Sequence, residues 1–197
     1  MSKTIDYYFT PVSPWTYLGH ERFVAMAKRH GASVNVKPVD LARVFPVSGG
    51  LPLAKRAPQR QAYRLVELKR WSEFLGLPLT LKPKFFPVPA EEAALWIIAA
   101  EAAGGPGAAL PLAGALMRAC WAEERDISDA ATLARIGAEF GVAPPGAQAH
   151  AAAKAKFDAN TQEAIELQVF GAPSYVYRGE IFWGQDRLDF LDRALAK

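Results

Sequence analysis

Strand-forming sequence is confined to the two ends of this chain. Apolar and aromatic β-formers run from Ile5 to Phe9, and Val34, Val36 and Val39 alternate in "ASVNVKPVDLARV". The next such runs come only at "PSYVYRGEIFWG", where two short aromatic segments flank the turn Arg178-Gly179-Glu180. Any sheet must therefore be assembled from segments far apart in the chain. Between the first pair, the segment from about Pro14 to His30 has helical spacing before Gly31 stops it, which makes the opening β-α-β with a crossover long enough to join parallel strands. From about Pro58 to Gln168 the sequence is Ala-, Leu- and Glu-rich, with periodic apolar positions such as Leu65, Leu68, Trp71 and Leu75. Punctuation at Gly76-Leu77-Pro78, Gly104-Gly105-Pro106-Gly107 and Pro144-Pro145-Gly146 cuts this block into several helices. Ser128-Asp129 starts one of them and Gly141 fits its end. The chain closes on an amphipathic helix with Leu188, Leu191 and Leu195 on one stripe.

With 197 residues, one buried core with a large insertion is expected rather than two domains. No apolar run approaches the roughly 18 to 20 residues of a membrane span, and the start, Met1 to Asp6, lacks the pattern of a secretory leader. A net charge of +3 without a basic block disfavours nucleic acid. The single Cys120 permits no internal disulfide and reads as a buried helix-face residue. No metal-ligand spacing and no nucleotide-binding glycine loop is present. The one basic cluster places Arg56, Arg60 and Arg64 at i, i+4 and i+8 on one side of a helix. A solvated face accounts for it, with contact to an anionic ligand as the other reading. His20 and His30 read as surface or helix-end residues, and His150 the same in an alanine-rich helix.

Chemistry concentrates where the first strand enters the first helix, at Ser13-Pro14-Trp15-Thr16. Ser13 followed by Pro14 is a helix-capping pair. The same position offers a second use. A hydroxyl at a helix N-terminus can donate to a bound anion, which the open backbone N–H groups and the helix dipole also favour.

The order βαβ, helical block, ββα is that of the thioredoxin fold, whose functional group sits at this strand-to-helix junction. Thiol oxidoreductases carry Cys-x-x-Cys there. Here both positions are hydroxyls that cannot form the required disulfide, which makes a thiol-disulfide oxidoreductase the least favoured alternative. The stretches "YYFTPVSPWTYL", "VDLARVF", "LPLTLKPKFFPVP" and "VFGAPSYVYRGEIFWGQDRL" resemble the kappa-class glutathione transferases and, more closely, the bacterial 2-hydroxychromene-2-carboxylate isomerases of the DsbA-like superfamily. The likeness spans nearly the whole chain. It implies an α/β, thioredoxin-like fold in a single domain, with a core at 1–50 and 169–197 and an all-helical insertion at about 51–168 roofing the cleft above Ser13. It also implies glutathione as cofactor, a small aromatic keto acid as substrate, a cytoplasmic location and a homodimer.

Residue by residue, the resemblance makes Ser13 the stabiliser of the glutathione thiolate. It makes Ala172, before a cis Pro173, the backbone partner of the extended tripeptide. Gln185 and Asp186 meet the γ-glutamyl group, with Asp186 accepting from its ammonium and Arg187 free to pair with a neighbouring acid. Trp15 lines the substrate pocket, and Arg43, Lys55 and Arg56 are the candidate partners of the substrate carboxylate. Tyr17, Phe85, Phe86 and Trp183 could line the same pocket, although core packing accounts for each singly. Two positions depart from the family pattern: Phe45 stands where an isomerase-type lysine is expected, and no asparagine occurs around Leu53-Ala54. A transferase that keeps the conjugate, or a non-catalytic binding module, are the alternatives.

Overall fold

The strands of the chain's two ends meet in one sheet of order β2-β1-β3-β4 in the computed structural model, which describes residues 3–197. β1 (Thr4–Phe9) pairs parallel with β2 (Ser33–Pro38) and antiparallel with β3 (Ser174–Tyr177), which forms a hairpin with β4 (Glu180–Trp183). Register follows from alternation along each strand. Ile5, Tyr7 and Phe9 join Val34, Val36, Tyr175 and Tyr177 in the main core on one face. Tyr8 and Val176 point the other way, to Val39, Ala164 and Val169. The hairpin turn holds Arg178 at φ +52° and Gly179 at φ +79°, angles that a glycine adopts without a Cβ clash.

α1 (Pro14–Arg29) crosses the main face and is capped by His30, just ahead of the expected stop at Gly31. One expectation fails immediately after β2. The stretch read as continuing the second strand breaks at Pro38, and α2 (Leu41–Ser48) follows it. Asp40 is the reason: its carboxylate accepts from the Ala42 N–H at 2.8 Å and nucleates the helix. A 3₁₀ turn at Leu53–Lys55 leads into α3 (Pro58–Leu75), then α4 (Glu91–Gly104), α5 (Pro106–Trp121), α6 (Ala130–Glu139) and α7 (Ala147–Glu166). Asp129 caps α6 through the Thr132 N–H, as expected of Ser128-Asp129.

α5 is apolar nearly all round, and Leu112, Leu116, Ala119, Cys120 and Trp121 are fully buried. Burial pushes the Cys120 thiol up to about 12, so it stays protonated. The C-terminal half of α7 lies on the opposite face of the sheet. There Thr161 Oγ1 accepts from the Asp40 N–H at 3.0 Å, and Glu163 meets the Lys37 ammonium at 2.7 Å. A 3₁₀ turn (Gln185–Arg187) and α8 (Leu188–Leu195) complete the chain, with Leu188, Leu191 and Leu195 buried as the stripe predicts.

His20 overturns its surface assignment. It is 2 % exposed, with Nε2 2.9 Å from the Leu110 carbonyl and Nδ1 3.2 Å from the Tyr7 hydroxyl. A carbonyl only accepts, so Nε2 carries the proton and Nδ1 accepts from Tyr7. Burial lowers its pKa, and the ring is neutral.

Candidate active site at the start of the first helix

Ser13 caps α1. Its backbone is extended (φ −82°, ψ 120°), and Oγ accepts from the Thr16 N–H at 3.2 Å. Pro14 has no N–H, Thr16 is capped, and Tyr17 bonds the Ser13 carbonyl at 3.0 Å, which leaves the Trp15 N–H as the open donor of the first turn. The Ser13 hydroxyl proton has no acceptor among the described residues, and the residue is 8 % exposed. Two donors therefore converge at the positive end of a 16-residue helix.

The Ala172-Pro173 peptide is cis, as the resemblance implied. The Pro173 carbonyl accepts from the Gly184 N–H at 2.9 Å, and Ser174 Oγ donates to the Gly171 carbonyl at 2.8 Å. Neither the N–H nor the C=O of Ala172 has a partner among the described residues, a free strand edge of one residue. Ala172 lines a cleft of about 290 Å³ together with Trp15, Arg56, Trp183 and the 184–187 turn. Gly184 makes that turn at φ +102°, and a Cβ there would lie 2.5 Å from Asp186 Oδ1.

Other expected residues fall into two groups. Asp186 lines the cleft and is held by Arg187 at 2.6 Å, the neighbouring-acid pairing that was one option for that arginine. Gln185 is part of the cleft wall, but it is buried, and its Oε1 and carbonyl both accept from Arg22. Arg43 does not reach the cleft: it stands on α2, paired with Asp158 of α7 at 2.8 Å. Lys55 is exposed on the 3₁₀ turn and is not part of the cleft wall, whereas the adjacent Arg56 is. Tyr17 is drawn away by its hydrogen bond to the Pro78 carbonyl at 2.8 Å, and Phe86 packs on Trp121 with ring centroids 4.7 Å apart. Phe45, in the place of the expected lysine, lies against Gly50.

Sequence reasoning missed the contribution of α3. Glu67 and Trp71 form part of the cleft wall, and Trp71 is also stacked by the Arg22 guanidinium at 5.9 Å. Only the helical spacing of Trp71 was visible in the sequence, and this does not say which of its faces meets solvent. The three-arginine stripe also fails. Arg56 precedes α3, Arg60 is exposed, and Arg64 is half-buried against aromatic rings.

The model of the DSBA-like thioredoxin domain family matches residues 4–196. The chain belongs to that family. The DSBA-like chain is also 28% identical over 199 residues to a 2-hydroxychromene-2-carboxylate isomerase of Sphingobium xenophagum, covering 99% of each chain. A solved structure of a 2-hydroxychromene-2-carboxylate isomerase superposes with a TM-score of 0.81 at 27% identity, over 98% of this chain and 94% of that one. A glutathione S-transferase kappa 1 of Caenorhabditis elegans is 34% identical over 82 residues, 41% of this DSBA-like chain and 36% of that protein. The resemblance carried by the four quoted stretches is borne out, and so is the thioredoxin-like fold.

Proposed function

We propose that this protein is a glutathione-dependent isomerase that interconverts 2-hydroxychromene-2-carboxylate and trans-o-hydroxybenzylidenepyruvate in the breakdown of aromatic compounds. The observation that carries the reading is the unpartnered Ala172 backbone in a cleft that Trp15 also lines, with two unspent donors at the start of α1, the Trp15 N–H and the hydroxyl of Ser13 two residues before it. A short extended peptide bearing an ionised sulfur satisfies all of them at once. The full-length likeness to proteins named for this isomerisation supports the same reading.

Bound glutathione supplies a nucleophilic thiolate for reversible addition to the conjugated keto acid. Ser13 donates its hydroxyl proton to the sulfur, and the Trp15 N–H with the dipole of α1 adds to the stabilisation. Ala172 pairs with the tripeptide backbone as a single-residue strand edge. Asp186 accepts from the ammonium of the γ-glutamyl end, and Gln185 shapes that end of the cleft. Trp15 and Trp183 give the aromatic ring an apolar wall. The division into a core of 1–50 and 169–197 with the intervening helices as a roof, a cytoplasmic location and a homodimer belong to the same proposal. No described helix is long and apolar enough to cross a membrane.

The test is isomerisation of the chromene carboxylate with and without glutathione, comparing wild type with Ser13→Ala. Turnover that ignores glutathione would end this reading. A second reading, transfer of glutathione to a hydrophobic electrophile, is favoured by Phe45 in place of a lysine and by the kappa-class relative. The two differ in stoichiometry: the isomerase returns free glutathione, while the transferase consumes it.

A further inference from the structure

Arg64 is a half-buried guanidinium with neither an ion pair nor a hydrogen bond among the described residues. Its centre lies 5.5 Å from the Phe86 ring and 5.6 Å from the Trp121 ring. Aromatic faces replace part of an arginine's hydration, but they engage only the flat sides and leave the five N–H donors on its edge unspent. Arg56 stands nearby and is only partly satisfied. Its Nε donates to the Leu51 carbonyl at 2.9 Å, its other donors have no acceptor among the described residues, and it lines the cleft with Trp15 and Ala172. Burial, then the charge of Arg56, pushes the Arg64 pKa down to about 10. Two cations held close and partly dry destabilise one another unless an anion comes between them.

The platform under Arg64 is tied to the site described above. Trp121 is fully buried, and its Nε1 donates at 3.3 Å to the carbonyl of Val12, the residue before Ser13. Arg64 is not itself part of the cleft wall and adjoins it through Arg56, which is; Arg43, by contrast, is spent on Asp158. We propose that Arg64, together with Arg56, receives the substrate's carboxylate, so that this protein selects aromatic carboxylates over their neutral analogues. A guanidinium edge takes a planar carboxylate bidentately, and contact with the two tilted rings restricts the motion of Arg64. The inference rests on the isomerase reading for the identity of the substrate, but the binding of an aromatic anion can be tested separately.

The probes are cinnamate and methyl cinnamate, which share an aromatic skeleton and differ in charge, and the measurement is isothermal titration calorimetry. Arg64→Met keeps the apolar stem and removes the charge. It is expected to weaken cinnamate about tenfold and to leave methyl cinnamate and glutathione affinity unchanged. Arg64→Lys and Arg56→Met, which disturb packing less, should each lose part of the preference for the acid. The KM for 2-hydroxychromene-2-carboxylate should rise in the same order, with kcat little altered. Equal weakening of acid and ester would show a packing role and overturn the proposal, as would cinnamate affinity that ignores all three substitutions. Arg64-dependent binding of cinnamate by a wild-type protein that never turns over the chromene would remove the isomerase reading and support the arginine site. Turnover without that dependence would do the reverse.

Discussion

Ser13→Ala separates the cap that the structure shows from the thiolate contact proposed for the same hydroxyl. As the α1 cap it satisfies the Thr16 N–H at 3.2 Å, a contact whose loss costs about 1 kcal/mol. In a chain of 197 residues that lowers Tm by about 2 to 4 °C. As donor to a bound thiolate, its free proton makes a charge-assisted hydrogen bond of about 1.5 to 3 kcal/mol. At about 1.4 kcal/mol per pKa unit, its removal raises the pKa of enzyme-bound glutathione by roughly 1 to 2 units. At pH below the wild-type pKa of the bound thiol, the thiolate fraction, and kcat with it, falls about 10- to 100-fold, and the gap closes as pH rises. The Trp15 N–H and the helix dipole survive the substitution, so the lower half of that range is expected. The assay follows the ultraviolet absorbance of the thiolate against pH at saturating glutathione, beside the pH profile of kcat. Ser13→Gly is the control, because glycine is a serviceable cap that lacks a donor. Its Tm should return close to wild type while the thiol pKa stays raised. A bound thiol with wild-type pKa in both variants would refute the hydroxyl's role.

Three further outcomes follow from the packing. Trp121→Ala should cost about 3 to 5 kcal/mol, because the indole is fully buried under Phe86 and holds Val12; an unchanged urea midpoint would contradict this. His20 has a folded pKa below its unfolded value of about 6.5, so the unfolded chain binds the extra proton first. The contribution of the ring is full above that value and is lost as pH falls below it. Tm of the wild type should therefore drop between about pH 7 and pH 5, more steeply than that of His20→Gln, and parallel curves would exclude His20 as a source. Gly184→Ala forces a side chain into φ +102° and against Asp186; a loss of about 1 to 3 kcal/mol with weaker glutathione binding is expected, and wild-type values for both would show that the turn tolerates a Cβ.

What could be read from the chain in advance was whatever depends on local pattern. Alternation located all four strands, and Pro14, Asp129 and the Leu188-Leu191-Leu195 stripe located helices, because caps and periodicity act over a few residues. α2 was hidden by the valines on both sides of Asp40, which extend the strand pattern into a segment that one capping carboxylate makes helical. His20 and Gln185 were misjudged for a different reason. Each is polar, and only the fold brings up the Leu110 carbonyl and the Arg22 guanidinium that make burial affordable. The arginine cluster shows the same limit: spacing put three residues on a face, while tertiary packing left Arg60 in water and drew Arg64 over two aromatic rings. Arg43 looked like an anion receptor until α7 supplied Asp158.

The seclusion of Cys120 has a chemical consequence for the cell. The one sulfhydryl of the polypeptide lies at zero exposure inside α5 with its pKa pushed up to about 12, out of reach of peroxides and alkylating agents that attack thiolates. Oxidative stress thus cannot write itself onto the polypeptide at this position. Under the proposed glutathione dependence, oxidation would reach turnover through the soluble pool instead: conversion of the reduced tripeptide to its disulfide starves the catalyst without damaging it, and replenishing that pool restores the rate.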